Sequence, residues 1–267
     1  MTRIVVLTLL TVLSLTGRAG SGSTALTVAT TGPVEVSSQA VAAMVATPAA
    51  TADLSAGLPL GRVIRLVTLG DGYTAGTLTA VPRRDSWPAQ LAESLAHAGW
   101  TVVFYNLAEQ SATSGDLVEL QLGQVESLHP DIVTVQVGVN DIVSGSTADY
   151  EANLETILTE LETFLPAERI LLVTTPDHTL TEWGKGFGPT ESRGEAVTEL
   201  NGTLREVGQE HGVEVVDIGP VNALVSHDAS LLIQHDPPMP YPSAKQYAGW
   251  VEVIGPYVQD ALMTLTP

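Results

Sequence analysis

The sequence predicts an α/β fold in which helices cover both faces of a mainly parallel, five-stranded sheet, giving three layers (α/β/α). From about residue 61 onward, short β-branched runs alternate with longer amphipathic segments, the pattern of repeated β-α units. The runs are apolar almost throughout, as expected for strands buried on both faces. The chain has 267 residues, of which 44% are hydrophobic, so a single domain can form a substantial core.

Five strands and five long helices are predicted within this region. The strands are expected at residues 63–69, 101–106, 132–138, 170–174 and 213–217. The helices are expected at residues 87–98, 116–128, 148–165, 191–211 and 244–263. In such sheets ligands bind beyond the carboxyl ends of the strands, so we expect the functional residues in the loops there.

The first 60 residues have a different composition from the rest of the chain. Residues 1–19 have the pattern of a secretory signal peptide: Arg3, then an apolar run at residues 4–15, then small residues suited to cleavage. Twelve apolar residues are too few to span a bilayer. Residues 20–60 are rich in Ala, Thr, Ser, Val and Gly and are predicted to be a flexible spacer. We therefore expect a secreted protein with one domain at residues 61–267.

Charge and cysteine content exclude several classes of function. Eleven basic residues against thirty acidic ones give a net charge of −19, which repels nucleic acid and anionic membrane surfaces. The absence of cysteine rules out disulfides, thiolate metal sites and lipid anchoring through cysteine. No cluster of His, Asp and Glu has metal-ligand spacing. We expect a monomer without a stable membrane anchor, a metal or a cofactor.

Four polar blocks occupy the loops where ligands should bind. The first follows strand one and reads Gly70-Asp71-Gly72, continuing as Tyr-Thr-Ala-Gly. The second is Asn106 with Ser111, and the third is Gly138-Val139-Asn140-Asp141. The fourth precedes the last helix and reads His-Asp-Pro-Pro-Met-Pro-Tyr-Pro-Ser over residues 235–243.

These blocks resemble, in order and in structural position, those of the SGNH (GDSL-type) hydrolases, and the resemblance extends over about 200 residues. It implies the flavodoxin-like, three-layer fold of that family and the hydrolysis of acyl or acetyl esters. In the family's mechanism a serine attacks the carbonyl carbon, a histidine takes its proton, and an aspartate three residues before the histidine orients it. Backbone N–H groups and an asparagine side chain stabilise the oxyanion.

Several family positions are retained in this chain. Asn140 matches the oxyanion asparagine. Ser111 stands where a glycine usually offers its backbone N–H; serine keeps that N–H, so the change matters only if the loop requires a positive φ. Asp71, Asp141 and His235 are expected to contact the ligand.

The two reacting positions of the family are replaced. Gly72 stands at the nucleophile position and has no hydroxyl group, so an acyl-enzyme cannot form there. Tyr241 stands at the position of the histidine, and a phenol with a pKa near 10 is a poor base at neutral pH. Asp236 matches the triad acid only if the loop contains two extra residues, because Pro238 lies three residues before Tyr241.

Three hypotheses for the function follow. The first is a catalytically impaired family member that binds an ester, an acyl group or an acetylated sugar. The alternative is an active hydrolase of small esters with a rearranged site, in which Ser111 or Ser114 attacks and His235 assists. A third hypothesis is dinucleotide binding, because the first loop also fits part of a glycine-rich fingerprint; however, the second strand ends at Asn106 rather than at an acidic residue.

Overall fold

The computed structural model describes residues 63–186, 189–234 and 240–265. The predicted leader (residues 1–19) and spacer (residues 20–60) lie outside the described residues, as do His235 and Asp236. Within the described ranges, no helix is both long and apolar enough to cross a bilayer.

A five-stranded sheet forms the centre of the fold, and each of its four strand pairings is parallel. The strand order is β2-β1-β3-β4-β5. The strands are β1 (Val63–Gly70), β2 (Thr101–Asn106), β3 (Ile132–Gln136), β4 (Ile170–Val173) and β5 (Glu214–Val216). The predicted three-layer fold class is therefore confirmed, and four of the five predicted strands differ from these by one or two residues at one or both ends.

Four long helices form the outer layers: α1 (Trp87–His97), α2 (Tyr150–Glu162), α3 (Thr190–His211) and α4 (Ala244–Met263). Successive side chains of β1 point to opposite faces of the sheet, so the residues that they pack against show which helices cover each face. Ile64 and Leu66 share a core cluster with residues of α1 and α4, whereas Val67 and Leu69 share another with residues of α2 and α3.

The predicted helix at residues 116–128 is wrong as a single element. The segment begins as an α-helical turn (Ser114–Asp116), becomes a π-helix (Leu117–Gln121), and ends in two 3₁₀ segments (Leu122–Gln124 and Glu126–Leu128). The side chain of Gln121 turns inward to hydrogen-bond Gly70, a polar tertiary contact that the apolar period of the sequence does not reveal. Shorter α-helical segments lie at Gly72–Ala75, Pro82–Asp85, Val139–Ser144, Glu182–Lys185 and Gly219–Asn222. Further 3₁₀ segments lie at Thr147–Asp149, Ala167–Arg169, His178–Leu180, Ala223–Ser226 and Ala229–Leu231.

The central position of β1 determines where the sequence blocks meet. Because β2 and β3 flank β1 in parallel, the loops after these three strands emerge at one edge of the sheet. At that edge Gly70 pairs with Gln136 of β3, and Thr68 pairs with Asn106 of β2.

Candidate functional site

The turn after β1, residues 70–76, is held by buried side-chain amides. The carboxamide of Gln121 pairs with the backbone of Gly70: its Oε1 accepts from the Gly70 N–H at 2.9 Å, and its Nε2 donates to the Gly70 carbonyl at 2.8 Å. Gly70 has φ 156°, and a Cβ there would lie 2.3 Å from the backbone oxygen of Gln136, so a side chain cannot be accommodated. The backbone leading to Gly72 is therefore closely constrained.

Asp71 caps the short helix that begins at Gly72. Its Oδ1 accepts from the backbone N–H of Tyr73 at 2.9 Å, and its side chain is buried. Burial is the largest influence on this carboxyl group; with the nearby charge of Asp141 it raises the pKa of Asp71 to about 7, against the opposing hydrogen bond from Tyr73. Asp71 thus has a structural role in the turn, and the ligand contact expected of it stays a prediction.

The two replaced family positions, Gly72 and Tyr241, lie against each other. A Cβ added to Gly72 would lie 3.2 Å from Cε1 and 3.3 Å from the hydroxyl oxygen of Tyr241, and 3.0 Å from Oγ1 of Thr77. The Tyr241 ring therefore borders the volume into which a side chain at position 72 would extend. The sequence blocks identify both positions, and the structure brings them together.

Tyr241 is held in place by aromatic packing and by a backbone ladder. Its ring centroid is 5.4 Å from that of Tyr73. The Ile233 N–H donates to the Tyr241 carbonyl at 2.9 Å, beside an antiparallel bridge between Leu232 and Pro242. Burial, and secondarily the charge of Asp71, raises the pKa of the Tyr241 phenol above its ordinary value, so the hydroxyl group keeps its proton at neutral pH.

Asn106 and Ser111 shape the loop after β2. The Nδ2 of Asn106 donates to the Thr74 carbonyl at 2.8 Å, which ties this loop to the turn after β1. Ser111 has φ 67°, a left-handed conformation that glycine adopts more readily than serine. The loop thus requires a positive φ at this position, which is the condition under which serine in place of the family's glycine was expected to matter.

Asn140 and Asp141 follow β3 and have different surroundings. Asn140 is partly exposed, and its Nδ2 donates to the Ala112 carbonyl at 2.9 Å, leaving its second amide hydrogen for another acceptor. Asp141 is buried and accepts from Ser114 through the backbone N–H at 3.0 Å and the hydroxyl group at 2.6 Å. Burial raises the pKa of Asp141, while the bonds from Ser114 lower it. Asp141 therefore fixes the loop after β2, and its predicted ligand contact is untested.

Ser114, one of the nucleophiles considered for a rearranged site, is fully buried. Its Oγ donates to Asp141 and accepts from the Nδ2 of Asn153 at 2.9 Å. His235 and Asp236, the base and acid considered with it, lie outside the described residues.

Sequence reasoning missed the buried amide of Gln136. Its Oε1 accepts from the Thr74 hydroxyl group and from the Trp87 ring N–H, each at 3.1 Å, while its Nε2 donates to the Thr174 carbonyl at 3.3 Å. The available signal in the sequence was a glutamine within a run of β-branched residues, Ile132–Gln136. Gln136 and Gln121 therefore both hold the turn after β1 through buried hydrogen bonds, Gln136 to Thr74 and Gln121 to Gly70.

His178 lies in the loop after β4 and is buried, and neither ring nitrogen has a hydrogen-bond partner among the described residues. Burial, reinforced by the charge of Arg193, lowers the pKa of His178 to about 4, so the ring is neutral at neutral pH. The described residues contain no group of three or more His, Asp or Glu side chains that could hold a metal ion.

Comparisons with known proteins agree with this fold. The model of the GDSL-like lipase/acylhydrolase family matches residues 68–248. No curated protein matches the chain in sequence.

Solved structures with similar folds include a lipase/acylhydrolase from Enterococcus faecalis, with 23% identity and a TM-score of 0.61; the match covers 76% of this chain and 98% of that one. An extracellular lipase from Streptomyces rimosus has 19% identity and a TM-score of 0.56, covering 74% of this chain and 99% of that one. An acetyl xylan esterase variant from Geobacillus stearothermophilus has 17% identity and a TM-score of 0.55, covering 73% and 94%. At these identities the structures show the shared fold, and the family match covers all four sequence blocks. The chain belongs to the GDSL-like lipase/acylhydrolase family.

Proposed function

We propose that this protein binds small carboxylic esters or acetylated carbohydrates at the carboxyl edge of its sheet and is impaired in hydrolysing them. The observation that carries the proposal is the contact between Gly72 and Tyr241: the position of the family's nucleophile has no side chain, and a tyrosine ring borders the space where one would be. Formation of an acyl-enzyme requires an oxygen, sulfur or nitrogen nucleophile at that point.

The retained donors support binding. Asn140 keeps one amide hydrogen free of its bond to Ala112, and an amide donor beside a strand end can polarise a carbonyl group. Removing such a donor raises the barrier to acyl transfer in serine hydrolases by about 3 kcal/mol, because it stabilises the oxyanion of the transition state. A hydrogen bond from the same group to the neutral carbonyl of a bound ester contributes about 1 kcal/mol. The acetylated class is included because one of the similar structures is an acetyl xylan esterase.

The state of Ser114 supports impairment. A nucleophilic hydroxyl group must be accessible to the substrate, whereas this one is fully buried and is held by a hydrogen bond that it donates to Asp141. Ser111 is exposed and keeps the rearranged-site alternative open to experiment.

Two assays test the proposal. Hydrolysis of 4-nitrophenyl acetate is followed by absorbance, and binding of ethyl butyrate is followed by NMR titration. We expect hydrolysis at the uncatalysed rate, together with saturable binding that weakens about fivefold in Asn140→Ala, the loss of one hydrogen bond. Val143→Ala, which shortens an exposed side chain on the same short helix, is the matched control. Hydrolysis above background that Asn140→Ala abolishes would show that the protein is an active esterase.

We also propose that the protein acts outside the cell, since residues 1–19 have the pattern of a leader. Sequencing the N-terminus of protein recovered from the culture medium of an expressing host tests this: processing near residue 19 is expected, and retention of the intact chain inside the cells contradicts it.

A further inference from the structure

The Tyr241 hydroxyl group lies next to the place from which a serine at position 72 would present its oxygen. The phenol oxygen is 3.3 Å from the Cβ position of residue 72, so a polar hydrogen-bonding atom still borders this point of the turn. Relative to the family pattern, Gly72 lacks the nucleophilic hydroxyl group, and Tyr241 places a different hydroxyl group beside the same point.

The hydroxyl group is preorganised. The ring packs on Tyr73, which in turn packs on Trp250 with centroids 6.2 Å apart and accepts, through its backbone carbonyl, a hydrogen bond from the Tyr247 hydroxyl at 2.8 Å. The backbone of Tyr241 is fixed at the carbonyl by Ile233. A donor held this way loses little conformational entropy when it binds an acceptor.

The chemistry of the phenol restricts its role. Burial and the charge of Asp71 raise its pKa, so it donates a hydrogen bond at neutral pH and does not act as a base. The charged groups that act on it and on the adjacent Tyr73 are the carboxylates of Asp71 and Asp177, so a neutral acceptor is favoured over an anionic one. An ester carbonyl oxygen has this chemistry, whereas a free carboxylate does not.

We infer that the Tyr241 hydroxyl is a specificity-determining donor that hydrogen-bonds the carbonyl oxygen of the bound ester. The inference rests on the proposed binding function. Asn140 follows the neighbouring strand β3 and offers another side-chain donor at the same edge of the sheet.

The test compares two probes and two variants. Ethyl butyrate has the carbonyl oxygen, and butyl ethyl ether has the same chain length without it. Tyr241→Phe removes only the hydroxyl group and keeps the ring; Tyr257→Phe, on an exposed position of α4, is the control. Dissociation constants are measured by NMR titration, and thermal midpoints show whether packing has changed.

We expect Tyr241→Phe to weaken ethyl butyrate binding about fivefold, to leave butyl ethyl ether binding unchanged and to leave the thermal midpoint unchanged. Equal ethyl butyrate affinities in the wild type and in Tyr241→Phe overturn the inference while the proposed function stands. Equal losses for both probes also overturn it, because they indicate an effect of packing. Absence of ethyl butyrate binding by the wild type overturns the proposed function and the inference together.

Discussion

The turn after β1 and the segment before α4 both carry family blocks, yet they have diverged to different extents. The turn has no side chain at Gly72, while the buried hydrogen bonds between Gln121 and Gly70 and from the Thr74 hydroxyl group to Gln136 are in place. In the segment the base position is tyrosine and three prolines occur within residues 237–240. These hydrogen bonds hold the backbone of the turn without any contribution from a side chain at position 72. The reacting groups can therefore change while the turn keeps its geometry.

Restoring the two reacting groups together is the strongest way to break this comparison. We expect Gly72→Ser with Tyr241→His to hydrolyse 4-nitrophenyl acetate at least about 100-fold faster than either single variant, because members of a catalytic triad act as a unit. Gly72→Ser alone also introduces a Cβ only 3.2 Å from the Tyr241 ring. We expect the gain to stay far below that of a full triad, because Pro238 lies three residues before Tyr241 and Asp236 matches the orienting aspartate only if the loop carries two extra residues. Initial rates of 4-nitrophenyl acetate hydrolysis test this prediction. Equal rates for Gly72→Ser and the double variant would show that the two positions do not act together.

Asp71 should give the turn a characteristic dependence of stability on pH. Its folded-state pKa of about 7 exceeds the ordinary value of 3.8, so between about pH 4 and pH 7 the folded state holds a proton that the unfolded state has released. Stability from this group is full below pH 4 and falls as the pH rises to 7, by up to about 4 kcal/mol. Asp71→Asn keeps a capping oxygen and removes the titration. Urea unfolding of both proteins from pH 4 to pH 8 should show wild-type stability falling relative to the variant; a constant difference argues against a buried, titrating Asp71.

Gln121 tests whether the amide bonds hold the turn. Gln121→Ala leaves the buried N–H of Gly70 without this partner, whereas the Gly70 carbonyl keeps the hydrogen bond from the Glu109 N–H at 3.1 Å, so we expect the free energy of unfolding to drop by about 1–3 kcal/mol. Gln124→Ala, an exposed glutamine in the same helical run, should change it by less than about 0.5 kcal/mol. Urea denaturation measures both. Similar decreases in the free energy of unfolding for the two variants would mean that the hydrogen bonds between Gln121 and Gly70 do not stabilise the turn.

Ser111 gives the smallest expected effect. A serine at φ 67° incurs the left-handed penalty of about 1–2 kcal/mol, which glycine avoids at some cost in chain entropy, so Ser111→Gly should stabilise the protein by up to about 1 kcal/mol. Ser127→Gly, in a 3₁₀ segment, should destabilise it instead. Thermal unfolding gives the sign of each change, and destabilisation by Ser111→Gly would indicate that the hydroxyl group of this serine has a role of its own.

The sequence predicted the features that depend on local residue patterns and missed those that depend on contacts between residues far apart in the chain. Apolar runs predicted all five strands. Burial on both faces makes β3 and β4 almost continuously hydrophobic, whereas the edge strands β2 and β5 are partly exposed and were predicted from their β-branched and aromatic residues. The helical period failed at residues 116–128, where the inward contact of Gln121 with Gly70 accompanies a π-helix. Motifs identified Gly72 and Tyr241, but their contact joins residues far apart in the chain and only the fold reveals it. The roles of Gln121 and Gln136 were missed for the same reason.

The most direct test of the central claim is covalent trapping of the native protein. A fluorophosphonate probe modifies activated serine nucleophiles, and intact-mass analysis detects a single adduct. We predict no adduct on the wild-type protein, and an adduct at position 72 only after Gly72→Ser is combined with Tyr241→His. A stable adduct on Ser111, Ser114 or any other serine of the wild-type protein would show that a working nucleophile exists and that the proposed impairment is wrong.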